Sequence, residues 1–148
     1  MPKIDLIEMH MAAAHFPIAL LMSSAFFEVL ASWRQRPEFR LTSYWIHLLG
    51  VVTGIGTLAL GVFGNPFFKD VGLLGNPFHD YENVMTNRAV QHSWFGLISL
   101  VVFGLLALWR MKRSDDFSAT GRKIYWVGMI IGVALIGAAG YLGAHVMD

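Results

Sequence analysis

The apolar residues of this chain fall into four long blocks separated by polar connections. The blocks cover residues 11–33, 43–63, 89–109 and 124–147. Each is close to the ~20 residues that an α-helix needs to cross the hydrocarbon core of a bilayer. The pattern predicts an all-α integral membrane four-helix bundle. We expect the spans and their connections to form one transmembrane domain over residues 1–148.

Composition supports a membrane protein over a soluble one. Hydrophobic residues make up 55% of the sequence and charged residues 14%, whereas about a quarter of the residues in an ordinary soluble domain are charged. We therefore expect the lipid bilayer to be the main partner. The formal net charge is +1, which gives no sign of nucleic-acid binding.

Lysine and arginine are divided unevenly between the two ends of the blocks. Eight lie where the first block leads to the second and the third to the fourth: Arg34, Arg36, Arg40, Arg110, Lys112, Arg113, Arg122 and Lys123. Three lie at the other end: Lys3, Lys69 and Arg88. By the positive-inside rule we expect both termini outside, in the periplasm of a bacterial inner membrane if the source is a Gram-negative bacterium. The short inner connections predict an up-down-up-down bundle. Because the positive cluster follows the first block, we expect that block to be a retained helix, not a cleaved signal peptide.

The longest connection, residues 64–88, lies at the predicted outer face. It repeats Gly-Asn-Pro-Phe at 64–67 and 75–78, and these residue types favour turns. Several apolar residues accompany the turns, so we expect the connection to fold back as a cap over the outer end of the bundle.

Five of the six histidines lie at or near the same predicted outer end. They are His10, His15, His79, His92 and His145. Ionisable side chains close to a bilayer core are costly, so a cluster of them indicates a functional site. The chain has no cysteine, which excludes thiolate-held iron–sulfur clusters and covalent haem attachment. The cluster therefore favours a non-covalently held haem b.

His15 and His92 are the first choice as axial ligands of the haem iron. Each is about one turn inside the outer boundary of its block, and blocks 1 and 3 lie on a diagonal of an up-down bundle. His145 has a similar depth on the fourth helix and can replace either one. Arg88, one turn outside His92, can pair with a haem propionate. His10 is turned by about 140° from His15, so we expect it to serve a second site or to meet His79 or His145.

Other functions remain open. Four methionines accompany the histidines (Met9, Met11, Met85 and Met147), and His with Met suits copper. A zinc site is a further metal alternative, and a scaffold subunit held by glycine contacts between helices is a third. The glycines of helices 2 and 4 are expected to permit close packing, and those at the histidine end to make room for a macrocycle.

The favoured function is that of an electron carrier or respiratory subunit, since no nucleophile or acid–base pair stands out for bond-breaking chemistry. Its expected partner is a periplasmic cytochrome or a larger respiratory complex, and it can form a homo-oligomer. At the inner face, Glu28 and His47 are expected to form a structural pair, with a proton path as the alternative.

Three stretches of the chain resemble a bacterial family of membrane proteins named domain of unknown function 2231. These are H-F-P-I-A-L-L at 15–21, Q-H-S-W-F-G at 91–96 and G-Y-L-G-A-H-V at 140–146. The resemblance implies four spans and histidines at positions 15, 92 and 145. It implies no reaction, so the haem prediction rests on spacing and topology.

Overall fold

The structure, a computed structural model, describes residues 6–64, 88–113 and 117–145. These residues form four α-helices and no strand: α1 (Leu6–Arg34), α2 (Pro37–Gly64), α3 (Arg88–Arg113) and α4 (Ala119–Ala144). All four are long and apolar enough to cross a membrane. The predicted all-α fold with four spans is confirmed. His79 and the predicted cap lie outside the described residues.

The helix ends follow from local residue chemistry. Gln35 adopts a φ of 52°, and a left-handed residue commonly ends a helix by turning the chain away from its axis. Pro37 then opens α2, where its fixed φ suits the first helical turn. At the start of α4, the Ser118 side chain accepts a hydrogen bond of 3.1 Å from the Gly121 amide, which satisfies a donor that the helix leaves free.

The helices pack as two antiparallel hairpins. α1 packs closely along α2 and α3 along α4, whereas the contacts of α2 with α3 and of α1 with α4 are sparser. Neighbouring helices run in opposite directions, since Gly50 lies beside Leu21 and Gly61 beside His10. This places α1 and α3 on one diagonal, as the sequence predicts. Which end faces the periplasm stays a prediction.

The second hairpin repeats the first at a constant offset of 82 residues, the separation between Glu28 and Arg110. α1 and α3 begin at Leu6 and Arg88, and α2 and α4 at Pro37 and Ala119. Eight of the nine buried residues of α1 and α2 correspond to buried residues of α3 and α4: Pro17 with Ser99, Leu21 with Phe103, Ser24 with Leu106, Glu28 with Arg110, Ser43 with Tyr125, His47 with Met129, Gly50 with Gly132, and Thr57 with Ala139.

This register relates the hairpins by an approximate twofold axis along the bundle, the arrangement of parallel repeats in membrane proteins. A residue that contacts the equivalent residue of the other hairpin, 82 positions away, lies at that axis. Glu28 and Arg110 meet there at 2.9 Å, and the rings of His10 and His92 have centroids 6.0 Å apart. The axis therefore passes through a charged pair at one end and an imidazole pair at the other.

Two corresponding glycines make room for the largest apolar side chains between these ends. A Cβ on Gly50 would lie 2.8 Å from Leu21, and a Cβ on Gly132 would lie 2.8 Å from the Phe103 ring. Leu21 and Phe103 are almost fully buried. Without a hydrophobic driving force between helices in lipid, such close van der Waals packing is a main source of stability.

Gly132→Ala and Gly50→Ala are expected to lower the free energy of unfolding in detergent by about 1–3 kcal/mol, because each added methyl group overpacks the core. Gly137→Ala and Gly56→Ala are the matched controls on the same two helices, since a Cβ there meets no atom within 4 Å. The controls should be neutral or stabilising. Equal losses at all four positions would contradict this packing.

Candidate functional site

Two imidazoles from opposite hairpins face each other at one end of the bundle. His10 lies in α1 and His92 in α3, and both are half-buried. Their ring centroids are 6.0 Å apart and their planes are inclined by 85°. They occupy equivalent places in the repeat, so the pair is symmetric about the bundle axis.

The same backbone contact holds each imidazole. His10 Nδ1 donates to the Thr57 carbonyl of α2 at 2.8 Å, and His92 Nδ1 donates to the Ala139 carbonyl of α4 at 2.8 Å. Each pair is separated by 47 residues. A carbonyl oxygen only accepts, so Nδ1 carries the proton and Nε2 of the neutral ring keeps its lone pair. Metal-binding histidines are commonly oriented by such a bond on their other nitrogen.

A glycine lies beside each ring. A Cβ on Gly61 would be 2.9 Å from His10 Nδ1, and a Cβ on Gly143 would be 2.9 Å from His92 Nδ1. These glycines thus make room for the imidazoles themselves, whereas the sequence suggested that glycines at this end make room for a macrocycle. Gly137, by contrast, has open space where its side chain would be.

The other predicted site residues have different surroundings. His15 is exposed, and its Nδ1 bonds to the Met11 carbonyl of its own helix at 3.0 Å. His145 bonds to the Tyr141 carbonyl at 2.8 Å, and its ring lies 4.5 Å from that of Tyr141. Arg88 donates to the His145 carbonyl at 3.1 Å, where a cation also complements the helix dipole.

The structure therefore brings His92 together with His10, where the sequence suggested His15. The reason is helix phase. His10 shares a stripe with the buried residues Pro17, Leu21, Ser24 and Glu28, which recur at the spacing of one helix face. His15 lies off this stripe, turned about 140° away from His10. A ligand role for His15 stays a prediction from the sequence.

A buried polar network lies toward the other end of the same stripe, ~27 Å along the helix axis from the imidazole pair. Arg110 Nη1 donates to Glu28 Oε2 at 2.9 Å, and the side chains are only 2% and 8% exposed. Arg110 Nη2 donates to the Arg40 carbonyl at 2.8 Å. The guanidinium also lies over the rings of Tyr44 and Tyr125, 5.5 and 5.7 Å from their centroids. One arginine thus contacts all three other helices.

His47 extends this network toward the core. Its Nε2 donates to the Phe103 carbonyl at 3.0 Å, so its Nδ1 accepts from the Tyr125 hydroxyl at 3.3 Å. Tyr125 in turn accepts from Arg110 Nη1 at 3.3 Å. The expected direct pair of Glu28 with His47 is replaced by a chain of contacts, because Arg110 takes the carboxylate. Sequence reasoning missed Arg110, which was assigned to the positive-inside signal alone.

Ligand number limits the metals that the described residues can hold. Within the ranges that the structure describes, no three His, Asp or Glu side chains gather as a metal site. Two imidazoles alone do not complete the four-coordinate shell of structural zinc.

A model of the DUF2231 predicted membrane protein family matches residues 7–148. The chain belongs to this family. The match covers all four helices and both polar sites, and it confirms the family resemblance found in the sequence. No curated protein and no solved structure matches the chain.

Glu28→Ala is expected to lower the free energy of unfolding in detergent by about 3–5 kcal/mol, because it leaves the Arg110 cation without its carboxylate in a buried site. Adding Arg110→Met should recover most of the loss. Arg88→Ala, which removes an exposed arginine and its hydrogen bond to the His145 carbonyl, is the control and should lower stability by no more than about 1 kcal/mol. Additive losses in the double variant would contradict a coupled ion pair.

Proposed function

We propose that this membrane protein is a b-type cytochrome or electron-transfer subunit. In this proposal His10 and His92 would hold a non-covalent haem between the two hairpins, and its iron would supply one-electron transfer. The observation that carries the proposal is the symmetric pair of imidazoles, each oriented through Nδ1 by a carbonyl of its own hairpin.

The number of protein ligands favours haem over an isolated ion. Haem iron takes four ligands from the porphyrin and needs only axial side chains from the protein. Two histidines therefore suffice, whereas zinc requires further protein ligands. The absence of cysteine makes any such haem non-covalent.

The spacing also suits a shared metal. The two ring centroids are 6.0 Å apart and the ring planes are inclined by 85°, a separation at which both imidazoles can reach one group bound between the hairpins. Haem between the hairpins would separate the His10 and His92 rings and interrupt the sparser contacts, those of α2 with α3 and of α1 with α4. The close packing within each hairpin would be kept.

The proposed setting follows from the charge distribution. With the arginine-rich end inside, the imidazole pair lies near the periplasmic face of a bacterial inner membrane. The electron partner would then be a periplasmic cytochrome or a larger respiratory complex. The periplasmic location and the electron partner both follow from the distribution of arginines in the sequence and from the position of the imidazole pair at the opposite end of the bundle.

The test is the optical spectrum of protein purified from haem-replete cells. The wild type is expected to show Soret absorption and, after dithionite reduction, the split α-band of low-spin haem. His10→Ala and His92→Ala should each lose the low-spin spectrum, because each removes an axial ligand. His15→Ala is the matched control on α1 and should keep it.

Three results would change the proposal. Absence of Soret absorption from wild-type protein would exclude haem. Stoichiometric copper without haem would indicate that the imidazole pair binds copper. Loss of haem in His15→Ala with retention in His10→Ala would restore the pairing that the sequence suggested.

Gly143→Ala tests whether the ring position matters to the proposed haem. Its methyl group would meet His92 Nδ1 at 2.9 Å, so the ring must shift, and we expect a changed reduction potential with haem retained. Gly137→Ala on the same helix should leave the potential unchanged. An unchanged potential in both variants would contradict the close contact.

A further inference from the structure

A basic pocket lies at the end of the bundle opposite the imidazole pair. It has a volume of about 450 Å³ and is lined by the turn between α1 and α2 and by the start of α4. Three of its residues are arginines, Arg36, Arg40 and Arg122. No carboxylate residue is among those that line it.

The three guanidinium groups are not neutralised within the part of the chain that the structure describes. The ion pair in these residues joins Glu28 with Arg110, and no carboxylate there lies within 4 Å of the side chains of Arg36, Arg40 or Arg122. Guanidinium groups match the geometry of phosphate oxygens and can bind them through two parallel hydrogen bonds. The pocket therefore has the chemistry of an anion site.

The shape of the pocket is set by the buried network and by the turn. Gln35, with a φ of 52°, ends α1. Only Gln35 and Arg36 therefore separate the last residue of α1 from Pro37 at the start of α2. Arg36 lies in the turn just before α2 and Arg40 in the first turn of α2. The Arg40 carbonyl is held by Arg110 Nη2 at 2.8 Å. This bond fixes the first turn of α2 to the bundle core.

We propose that this pocket binds the phosphate group of an anionic phospholipid. The lipid, not a soluble phosphate, is favoured because the pocket lies at helix ends beside an exposed tryptophan, Trp33, which is 71% exposed. Tryptophans of this kind mark the membrane–water interface. Basic pockets between transmembrane helices on the cytoplasmic side bind such headgroups. This site is independent of the proposed haem.

The experiment uses the full chain in phosphatidylcholine nanodiscs that contain a minor fraction of cardiolipin. Bound cardiolipin is counted by native mass spectrometry after extraction into detergent, over a range of cardiolipin fractions. Arg40→Gln with Arg122→Gln should weaken retention roughly 30-fold, because each substitution removes a direct hydrogen bond to the phosphate worth about a factor of five. Arg40→Gln keeps the backbone carbonyl that anchors Arg110.

The control removes two positive charges from the same end of the bundle outside the pocket. Arg34→Gln with Lys123→Gln should weaken retention by less than about fivefold, because these side chains do not line the pocket and act only through screened surface charge. Equal loss in both double variants would overturn the proposal, because it would show only general attraction to a basic surface. If the pocket double variant loses its helical circular dichroism, Arg36→Gln in the exposed turn replaces it, with roughly fivefold weaker retention expected.

A second arm distinguishes lipid from soluble phosphate. Lipid-free protein in detergent is heated with inorganic phosphate or with cardiolipin, and the unfolding temperature is recorded. Protection by cardiolipin that depends on Arg40 and Arg122 supports the lipid site. Protection by inorganic phosphate alone, through the same arginines, would overturn the lipid assignment.

Discussion

The ion pair between Glu28 and Arg110 is the constraint on which the arrangement of the hairpins depends. Two apolar helices in lipid gain no hydrophobic free energy by associating, and a lone charge at this depth is costly. Each hairpin contributes one of the two buried charges, so neither can leave the other without exposing an uncompensated ion. The pair stabilises association chiefly through the cost of separation, because buried ion pairs add little compared with apolar residues of the same shape.

The repeat explains why the two ends of the axis have different chemistry. A residue at the axis faces its own counterpart, so identical residues form a symmetric pair. Two imidazoles can meet in this way, and His10 and His92 have the same backbone contact, 47 residues away in each case. Two glutamates or two arginines at the position of Glu28 and Arg110 would repel each other. That position therefore needs unlike residues, and Glu28 with Arg110 satisfies the requirement.

The sequence was sufficient for the spans and for the cyclic order of the helices, because these depend on apolar block length and short connections. It was insufficient for the choice between His10 and His15. The depth of a residue along a helix can be counted from the boundary of its apolar block. The direction in which its side chain points can be assigned only when the buried face of that helix is known. The sequence repeat could have located this buried stripe. Gly-Val at 50–51 recurs at 132–133, and a glycine follows eleven positions after Gly50 and after Gly132, at Gly61 and Gly143.

Arg110 illustrates a second limit of sequence reasoning. An arginine at the end of an apolar block gives the same sequence pattern whether its side chain extends to water or turns into the bundle. The count of lysines and arginines at each end of the blocks favours the first interpretation. Only the position of Glu28 at the same depth on the diagonal helix decides between them. The interior contacts then form a continuous series, from the Arg40 carbonyl through Arg110 to Tyr125 and His47.

The two ends of the axis also differ in how firmly the hairpins are joined. At the end of Glu28 and Arg110, the ion pair, the tyrosine hydroxyl and the Arg40 carbonyl link all four helices. At the opposite end each imidazole is hydrogen-bonded to its own hairpin, and the rings of His10 and His92 meet across the axis without a hydrogen bond between them. A planar ligand entering there would have to displace ring contacts and not buried charges. Among the described residues, the charged contact between the hairpins therefore lies at one end of the axis and the contact between the two imidazole rings at the other.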